Sequence, residues 1–504
     1  MLLQSLTDYV SQHYIALFGI LALFSITAKC LQKLYLDPLA RFPGPKLAAV
    51  SRLPTIYHSF KGDIVDWINE QHTIHGNTVR VAPNELSYSA PGAWKDIYGH
   101  AHASKKSTEK DPQFYGPSFN GAGDIIRALG PDHARFRRNF SHAFSERALR
   151  DQQPLIQHYT DMLVDRLRIL ALKNPEGPIE MVRLYNLTTF DIMGDLTFGE
   201  SLDLLSGTGD DTWVSAIFSS LKANSLRRLG RYYPWTAILF QKLMPNSLKE
   251  QDMGHCKSCV ERVDRRIDPT RDIQNHKPDI WGIVMAQKEA LRLSKAEMYA
   301  NSQIFMVAGT ETTATALSGL TYHLLMNREK LDKLVIEIRG AFRDDGDIEP
   351  GALNRLKYLN ACIEEGLRIY PPVPIGMPRV APSEGLLVCG DLIPGKTTLS
   401  VNQWATYHDA KNFKRPNEFI PERWISDEFT SDNKAALQPF SFGPRNCLGK
   451  NLAYSELRMI LAKVLYNFDL SLLPESVGWD KQKTFTLWEK PTLVVRLKAK
   501  AEAA

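Results

Sequence analysis

Hydrophobic and polar positions divide the chain into a short apolar head and a long body of mostly helical pattern. Tyr9 to Ala28 is twenty residues without a formal charge, counting His13 as neutral. About twenty apolar residues cross a bilayer as a helix, so this run predicts a membrane anchor. Cleaved signal peptides place positive charge ahead of the apolar run. Here the first fourteen residues hold Asp8 and no Lys or Arg, and Lys29, Lys33 and Arg41 come after the run. By the positive-inside rule, residues 1–8 face the lumen and the body faces the cytosol, as in a single-pass endoplasmic reticulum protein. Residues 29–46 read as a basic hinge ending in Arg41-Phe-Pro-Gly-Pro-Lys46, stiffened by proline. Residues 47–504 read as one compact unit.

Within that unit, Val79-Arg-Val-Ala and Glu85-Leu-Ser-Tyr88 predict two short strands around Pro83-Asn84, and Thr397 to Val401 suits the same small sheet. Residues 100–124, rich in Gly, Pro, Ser and Lys, read as a long loop. Gly130-Pro131 starts a helix that runs through Phe140. Residues 150–300 are mostly helical by pattern. Ser302 to Leu325 is a long apolar helix, too interrupted by Thr and Gly for a second membrane span, and Leu448 to Leu465 is another helix. The fold class is therefore mainly α with a small β portion. Arg231-Tyr-Tyr-Pro-Trp235 and Thr236 to Phe240 form an aromatic, apolar patch that the pattern leaves open between core, membrane-dipping surface and substrate lid.

Composition removes several classes. The net charge of +5 comes without a long Lys/Arg run, which argues against nucleic acid. Six cysteines in 504 residues are no disulfide framework and suit a reducing compartment. Cys256-Lys-Ser-Cys259 is a single C-x-x-C without a second ligand pair, and reads as two thiols on a helix. The sequons at Asn139 and Asn186 go unused if the body is cytosolic. Gly121-Ala-Gly123 lacks the third glycine of a dinucleotide fingerprint.

The candidate chemistry centres on Phe440-Ser-Phe-Gly443-Pro-Arg445-Asn-Cys447-Leu-Gly449. A lone cysteine is usually a small core residue. Here glycines bracket Cys447 and allow positive φ and close backbone approach. Backbone N–H groups and the following helix N-terminus favour negative charge on the sulfur. Phe440 can shield that sulfur, and the planar fork of Arg445 suits a carboxylate. Upstream, Ala308-Gly309-Thr-Glu311-Thr312-Thr313 places small residues beside an acid and an alcohol on a helix. Its bland alternative is a Thr-rich core helix with one exposed acid. Glu365 and Arg368 share a helical face, as do His133 and Arg137. Alone, either pair is an ordinary surface feature.

The motif F-x-x-G-x-R-x-C-x-G resembles the haem-binding loop of the cytochrome P450 family, the haem-thiolate monooxygenases. The Ala308 to Thr313 stretch is similar to that family's (A/G)-G-x-(D/E)-T-T signature, and Glu365-x-x-Arg368 with Pro421-Glu-Arg423-Trp424 resembles its ion-pair motifs. The resemblance implies the P450 fold and heme b, with Cys447 as the axial iron ligand. It implies that Glu311 and Thr312 handle oxygen and protons, and that His133, Arg137, Arg379 and Arg445 anchor the haem beside Phe440. Glu365, Arg368 and Arg423 would form a buried cluster that holds the cysteine loop. Two positions depart from the family: His133 stands for the usual Trp, and Trp424 for Phe. Val373 to Met377 and Thr486-Leu-Trp488 would line the substrate pocket.

The implied reaction inserts one atom of O2 into an apolar small molecule. The stretch from Met306 to Leu317 resembles the branch found in fungal secondary metabolism, which implies a terpenoid or polyketide-type substrate. No flavin, ferredoxin or nicotinamide motif is present in the sequence, so electrons would come from NADPH through a membrane-bound flavoprotein reductase. Arg135, Arg138 and Arg150 add positive surface for it. Two rivals remain: a haem-thiolate isomerase or lyase working without O2, against which the Glu311-Thr312 pair speaks, and a haem-binding sensor.

Overall fold

The apolar head becomes α1 (Leu2–Leu31), which continues into a π-helical turn over Gln32–Leu36. Among the described residues, the segment long and apolar enough to cross a membrane is Ala16–Leu36, and its apolar window is not buried against the body. This segment ends later than the run that stops at Ala28, since the helix continues past Lys29 and Lys33. Lys33 is paired with Asp37 at 2.6 Å, which offsets its charge at the far end. The structure is a computed structural model that describes residues 2–101, 107–175, 177–209, 212–234, 242, 245–268, 270, 279–287 and 292–500. Of the aromatic patch, Trp235 to Phe240 lies outside the described residues.

The body is mainly helical. Its helices include α2 (Pro112–Tyr115), α3 (Gly130–Ser141), α4 (Glu146–Lys173), α5 (Met181–Phe198), α6 (Thr212–Tyr232), α7 (Lys295–Met326), α8 (Lys357–Ile369) and α9 (Lys450–Asn467). The central element is α7, which packs against α5, α8 and α9. It starts seven residues before the predicted Ser302. A capping box between Ser294 and Glu297 starts it there, ahead of the apolar stretch that made the helix visible.

Strands β1 (Thr78–Ala82), β2 (Glu85–Tyr88), β3 (Glu109–Lys110), β4 (Arg379–Val380) and β5 (Thr398–Val401) form one sheet in the order β1-β2-β5-β4-β3. Strands β2 and β5 run parallel, and the other neighbours are antiparallel. The mainly α fold with a small β portion is thus present. The loop expected over 100–124 is not one long loop, because it carries β3 and α2. Two-residue strands show no alternation in sequence, and β3 exists through its pairing with β4. Near the C-terminal end, β6 (Thr484–Phe485) and β7 (Leu487–Trp488) form a hairpin with Thr486 at its tip.

Two glycines let α7 sit this deep. A Cβ at Gly309 would lie 2.5 Å from Met193 Sδ on α5, and one at Gly319 would lie 2.1 Å from Tyr370 Cδ1. The Tyr370 ring is stacked on Trp488 and tilted against Trp479, so it has little freedom to retreat. Met193 is a flexible thioether and can swing aside. Gly319→Ala should therefore destabilise the protein by about 1–3 kcal/mol. At Gly309→Ala the strain should be offset by the roughly 1 kcal/mol that Ala gains in a helix. Thermal unfolding of the two variants checks this, and equal stability for both would refute it.

Candidate functional site

Cys447 sits on a loop built for close approach. Gly443 has φ 73°, and a Cβ there would meet the Tyr98 carbonyl oxygen at 2.0 Å. A side chain at 443 would thus push the loop off its support. Gly449 has φ −85° and needs no left-handed backbone; it serves as the N-cap of α9. The Cys447 amide donates to the Phe440 carbonyl at 2.8 Å, which closes the turn. Burial pushes the Cys447 thiol up, while the Gly449 N–H, Arg137 and Lys450 pull it back. The loop alone therefore leaves a thiol, and a bound cation would make it a thiolate. Although desolvated, Cys447 has accessible surface, so it borders an internal opening. The Phe440 ring lies 5.1 Å from that of Tyr454, which fixes it beside the loop.

Behind the loop the structure brings Glu365, Arg368 and Arg423 into one fully buried cluster. Arg368 donates to Glu365 at 2.8 and 2.9 Å, and Arg423 Nε donates at 3.0 and 3.1 Å. Asp432 accepts from Arg423 at 2.5 Å and supplies a second carboxylate that pattern reasoning missed. The indole of Trp424 donates to Glu365 at 3.0 Å, a hydrogen bond that a Phe could not make. The remaining donors of Arg368 bind the carbonyls of Tyr407, Pro416 and Glu418. Helix α8 is thereby tied to the chain that leads into the cysteine loop.

On another side, cations gather with few acids. Lys110 on β3 pairs in register with Arg379 on β4, which brings both beside Arg445. Burial, then Arg379 and Arg445, holds the Lys110 ammonium well below its ordinary range. Burial pushes His133 down to about 3, helped by Arg445, Lys110, Arg137 and Arg379, so its imidazole is neutral and keeps one N–H donor. Arg445 donates to Glu109 at 2.9 Å and to the Ala128 carbonyl at 2.6 Å. Arg379 is 3% exposed, and its Nε is buried without a partner among the described residues. Arg137 donates to the Asn446 carbonyl at 2.5 Å and side-chain oxygen at 2.6 Å, so it is placed on the cysteine loop itself. Lys110 escaped sequence reasoning because its neighbour Arg379 is remote in the chain. Of the surface arginines, Arg138 and Arg150 are exposed, whereas Arg135 is paired with Glu297.

Helix α7 supplies the acid and alcohol, but on different faces. Ile304, Ala308 and Thr312 form a partly accessible i, i+4, i+8 stripe on a helix that is otherwise mostly buried. The gap is at Ala308, since Gly309 packs on Met193. Thr312 Oγ1 donates to the Ala308 carbonyl at 2.6 Å, which leaves its lone pairs toward the accessible side. Glu311 is 4% exposed and forms a buried ion pair with Lys490 at 2.5 Å. Lys490 also donates to Thr315 Oγ1 at 2.8 Å. Lys490 was not legible as a site residue, because nothing local distinguishes it. Glu456 on α9 is another missed acid. The residue is 1% exposed, and burial raises its pKa to about 8, partly offset by the Thr313 hydroxyl.

Known proteins place this geometry in context. The family model described as Cytochrome P450 matches residues 49–496. "Cytochrome P450 monooxygenase efuB" of Hormonema carpetanum is 47% identical over 467 residues, covering 92% of this chain and 92% of that protein. "Cytochrome P450 monooxygenase AMT3" of Alternaria alternata is 42% identical over 478 residues, covering 94% and 97%. "Averantin hydroxylase" of Dothistroma septosporum is 40% identical over 501 residues, covering 97% and 92%. The family implies haem with a cysteine thiolate. The residues present fit that group: an accessible thiol on a rigid loop, and a cation cluster whose orphaned Arg379 Nε calls for a carboxylate.

Two outcomes follow. Lys490→Met leaves the Glu311 carboxylate buried and unpaired, and should cost about 3–5 kcal/mol. Glu311→Gln added to it should recover most of that loss in a thermal double-mutant cycle, and simple additivity would refute the pairing. Glu456 has a folded-state pKa raised from 4.5 to about 8. The unfolded chain then releases a proton that the folded chain keeps, so this group's stabilising contribution is full below pH 4.5 and falls as pH rises to about 8. Glu456→Gln should match the parent at pH 5 and melt at higher temperature at pH 8, and a parallel pH profile for both proteins would count against the account.

Proposed function

This chain belongs to the cytochrome P450 family, and on that footing we propose that it inserts one oxygen atom from O2 into an apolar secondary metabolite of terpenoid or polyketide type. Haem monooxygenation is the common ground with its relatives. The observation that carries the reading to this chain is the desolvated but accessible Cys447 thiol, together with the accessible Ala308–Thr312 stripe in a buried helix.

When bound through Cys447, haem supplies O2 binding and O–O cleavage. Lys110, His133, Arg379 and Arg445 would hold its carboxylates by charge and hydrogen bonds. Arg137 holds the cysteine loop at Asn446 and adds positive charge beside the sulfur. The Glu365 cluster keeps that loop from shifting. Thr312 presents its hydroxyl lone pairs to the opening, and Glu311 passes protons toward it through water. Lys490 holds Glu311 in place between transfers. Ile304, Val307, Val373 and Met377 are apolar side chains packed partly buried against the core, and a surface of that kind suits an apolar substrate.

Electrons come from NADPH through a flavoprotein reductase that docks on the basic surface bearing Arg138 and Arg150. The span Ala16–Leu36 anchors the chain in the endoplasmic reticulum membrane with the body in the cytosol. Such docking weakens with salt.

The test compares metabolites, by accurate mass, in host cells with and without this chain, under ordinary and isotopically heavy O2. Cells lacking it should accumulate a compound one oxygen atom lighter than the missing product, and the product should carry the heavy label. Accumulation of an isomer of the missing product would replace this reading with an O2-independent rearrangement.

A further inference from the structure

Helix α6 carries a second interior cation that none of the haem-holding roles uses. Arg228 stacks its guanidinium 3.6 Å from the Phe114 ring centroid and donates to Thr486 Oγ1 at 3.1 Å. Ser225 shares that hydroxyl at 3.2 Å. The Nε of Arg228 is buried without a partner among the described residues. The acids that act on it by charge are Glu85 and Asp111. Both are engaged elsewhere: Glu85 is paired with Arg52, and Asp111 accepts from the Gln113 amide at 2.9 Å.

A second orphan stands next to it. Tyr115 at the end of α2 is 8% exposed, and its hydroxyl is buried without a partner among the described residues. Arg228 and Arg379 both act on this phenol by charge. Lys110 Nζ lies 4.6 Å over the Tyr115 ring, so the pair adjoins the cationic haem edge. Arg228 is desolvated enough that burial lowers its pKa, yet part of its surface is accessible, which places it on the wall of the interior. Thr486, its hydroxyl partner, is a β-branched residue at φ 78°, the kind of backbone strain that clusters at ligand clamps. Stacking on Phe114 would explain a flat side chain here, but it does not require a charge.

We propose that Arg228, Tyr115 and Thr486 form a substrate subsite for a carboxylate, so that the natural substrate is an apolar skeleton bearing one acidic group. The planar fork of Arg228 binds the carboxylate, the Tyr115 hydroxyl donates to it, and Thr486 fixes the guanidinium plane. The charged group is thereby held at α6 while the apolar remainder lies along α7. This inference rests on the monooxygenase reading, because it needs the opening beside Cys447 to be the substrate chamber.

The test titrates the haem-loaded full-length chain with matched pairs of an acid and its methyl ester, following the ferric haem absorbance. Dodecanoic, naphthylacetic and abietic acids sample linear, aromatic and polycyclic skeletons. At least one acid should bind about 10-fold or more tightly than its ester, the equivalent of roughly 1.4 kcal/mol. Arg228→Met should abolish that preference and leave ester binding unchanged. Arg228→Lys should retain part of it, and Tyr115→Phe should weaken it a few-fold. No preference in any pair overturns the proposal, as does a preference that survives Arg228→Met. Loss of haem from Arg228→Met alone also overturns it, because the arginine then serves the cofactor. Failure of the parent chain to give the thiolate-haem carbon monoxide band sinks the monooxygenase reading itself, whereas a haem-loaded chain without acid preference sinks only this inference.

Discussion

The geometry of this protein depends on one carboxylate. Glu365 is completely buried and accepts from Arg368, Arg423, Trp424 and the Ile420 amide. The donors come from two places, helix α8 itself and the segment 420–424, so one side chain ties that helix to the chain that leads toward the cysteine loop. Burying two guanidinium groups and two carboxylates is expensive, and such clusters are poor devices for stability alone. What they supply is position. The loop from Phe440 to Gly449 has little regular structure of its own, so its conformation rests on tethers from outside it, Arg137 at Asn446 among them.

The second organising constraint is charge of one sign. Lys110, Arg379 and Arg445 converge beside the neutral His133, where Glu109 offers only partial compensation. A chain does not hold such a group against desolvation and mutual repulsion without a counter-charge to receive. The edge of the sheet makes the arrangement rigid: pairing of two-residue strands aligns Lys110 with Arg379 from segments 269 positions apart. A dianionic cofactor edge would complete the protein's own electrostatics as well as bind to it.

The division between what pattern reveals and what it hides follows range. The apolar N-terminal helix, the strands around Pro83-Asn84, the helix after Gly130 and the cysteine motif are local features, and local spacing announced them. Where the reading fell short, the cause was contact between distant segments. Lys490 and Glu311 are 179 positions apart, and only the fold makes them a pair. Glu456 carries no local signal, and its burial comes from the packing of α9 against α7. Ala308 and Gly309 read together as small residues beside the acid and alcohol, whereas the lack of a side chain at Gly309 admits Met193 and the accessible gap falls at Ala308. Residue motifs identify which atoms are present, while the faces they occupy depend on packing that no short window contains.

The hairpin β6–β7 and the turn after it have a consequence for how such a protein can change. Thr486 at the tip touches Arg228, and Lys490, four residues later, holds Glu311. With the roles proposed for Arg228 and Glu311, one short stretch would then serve both ligand binding and proton supply. A lineage that altered this stretch to accept a new molecule would disturb the proton supply by the same backbone shift. Diversification of what the chamber accepts is therefore easier from α6 and α2, which can vary without moving Lys490, and the hairpin acts as a brake on drift.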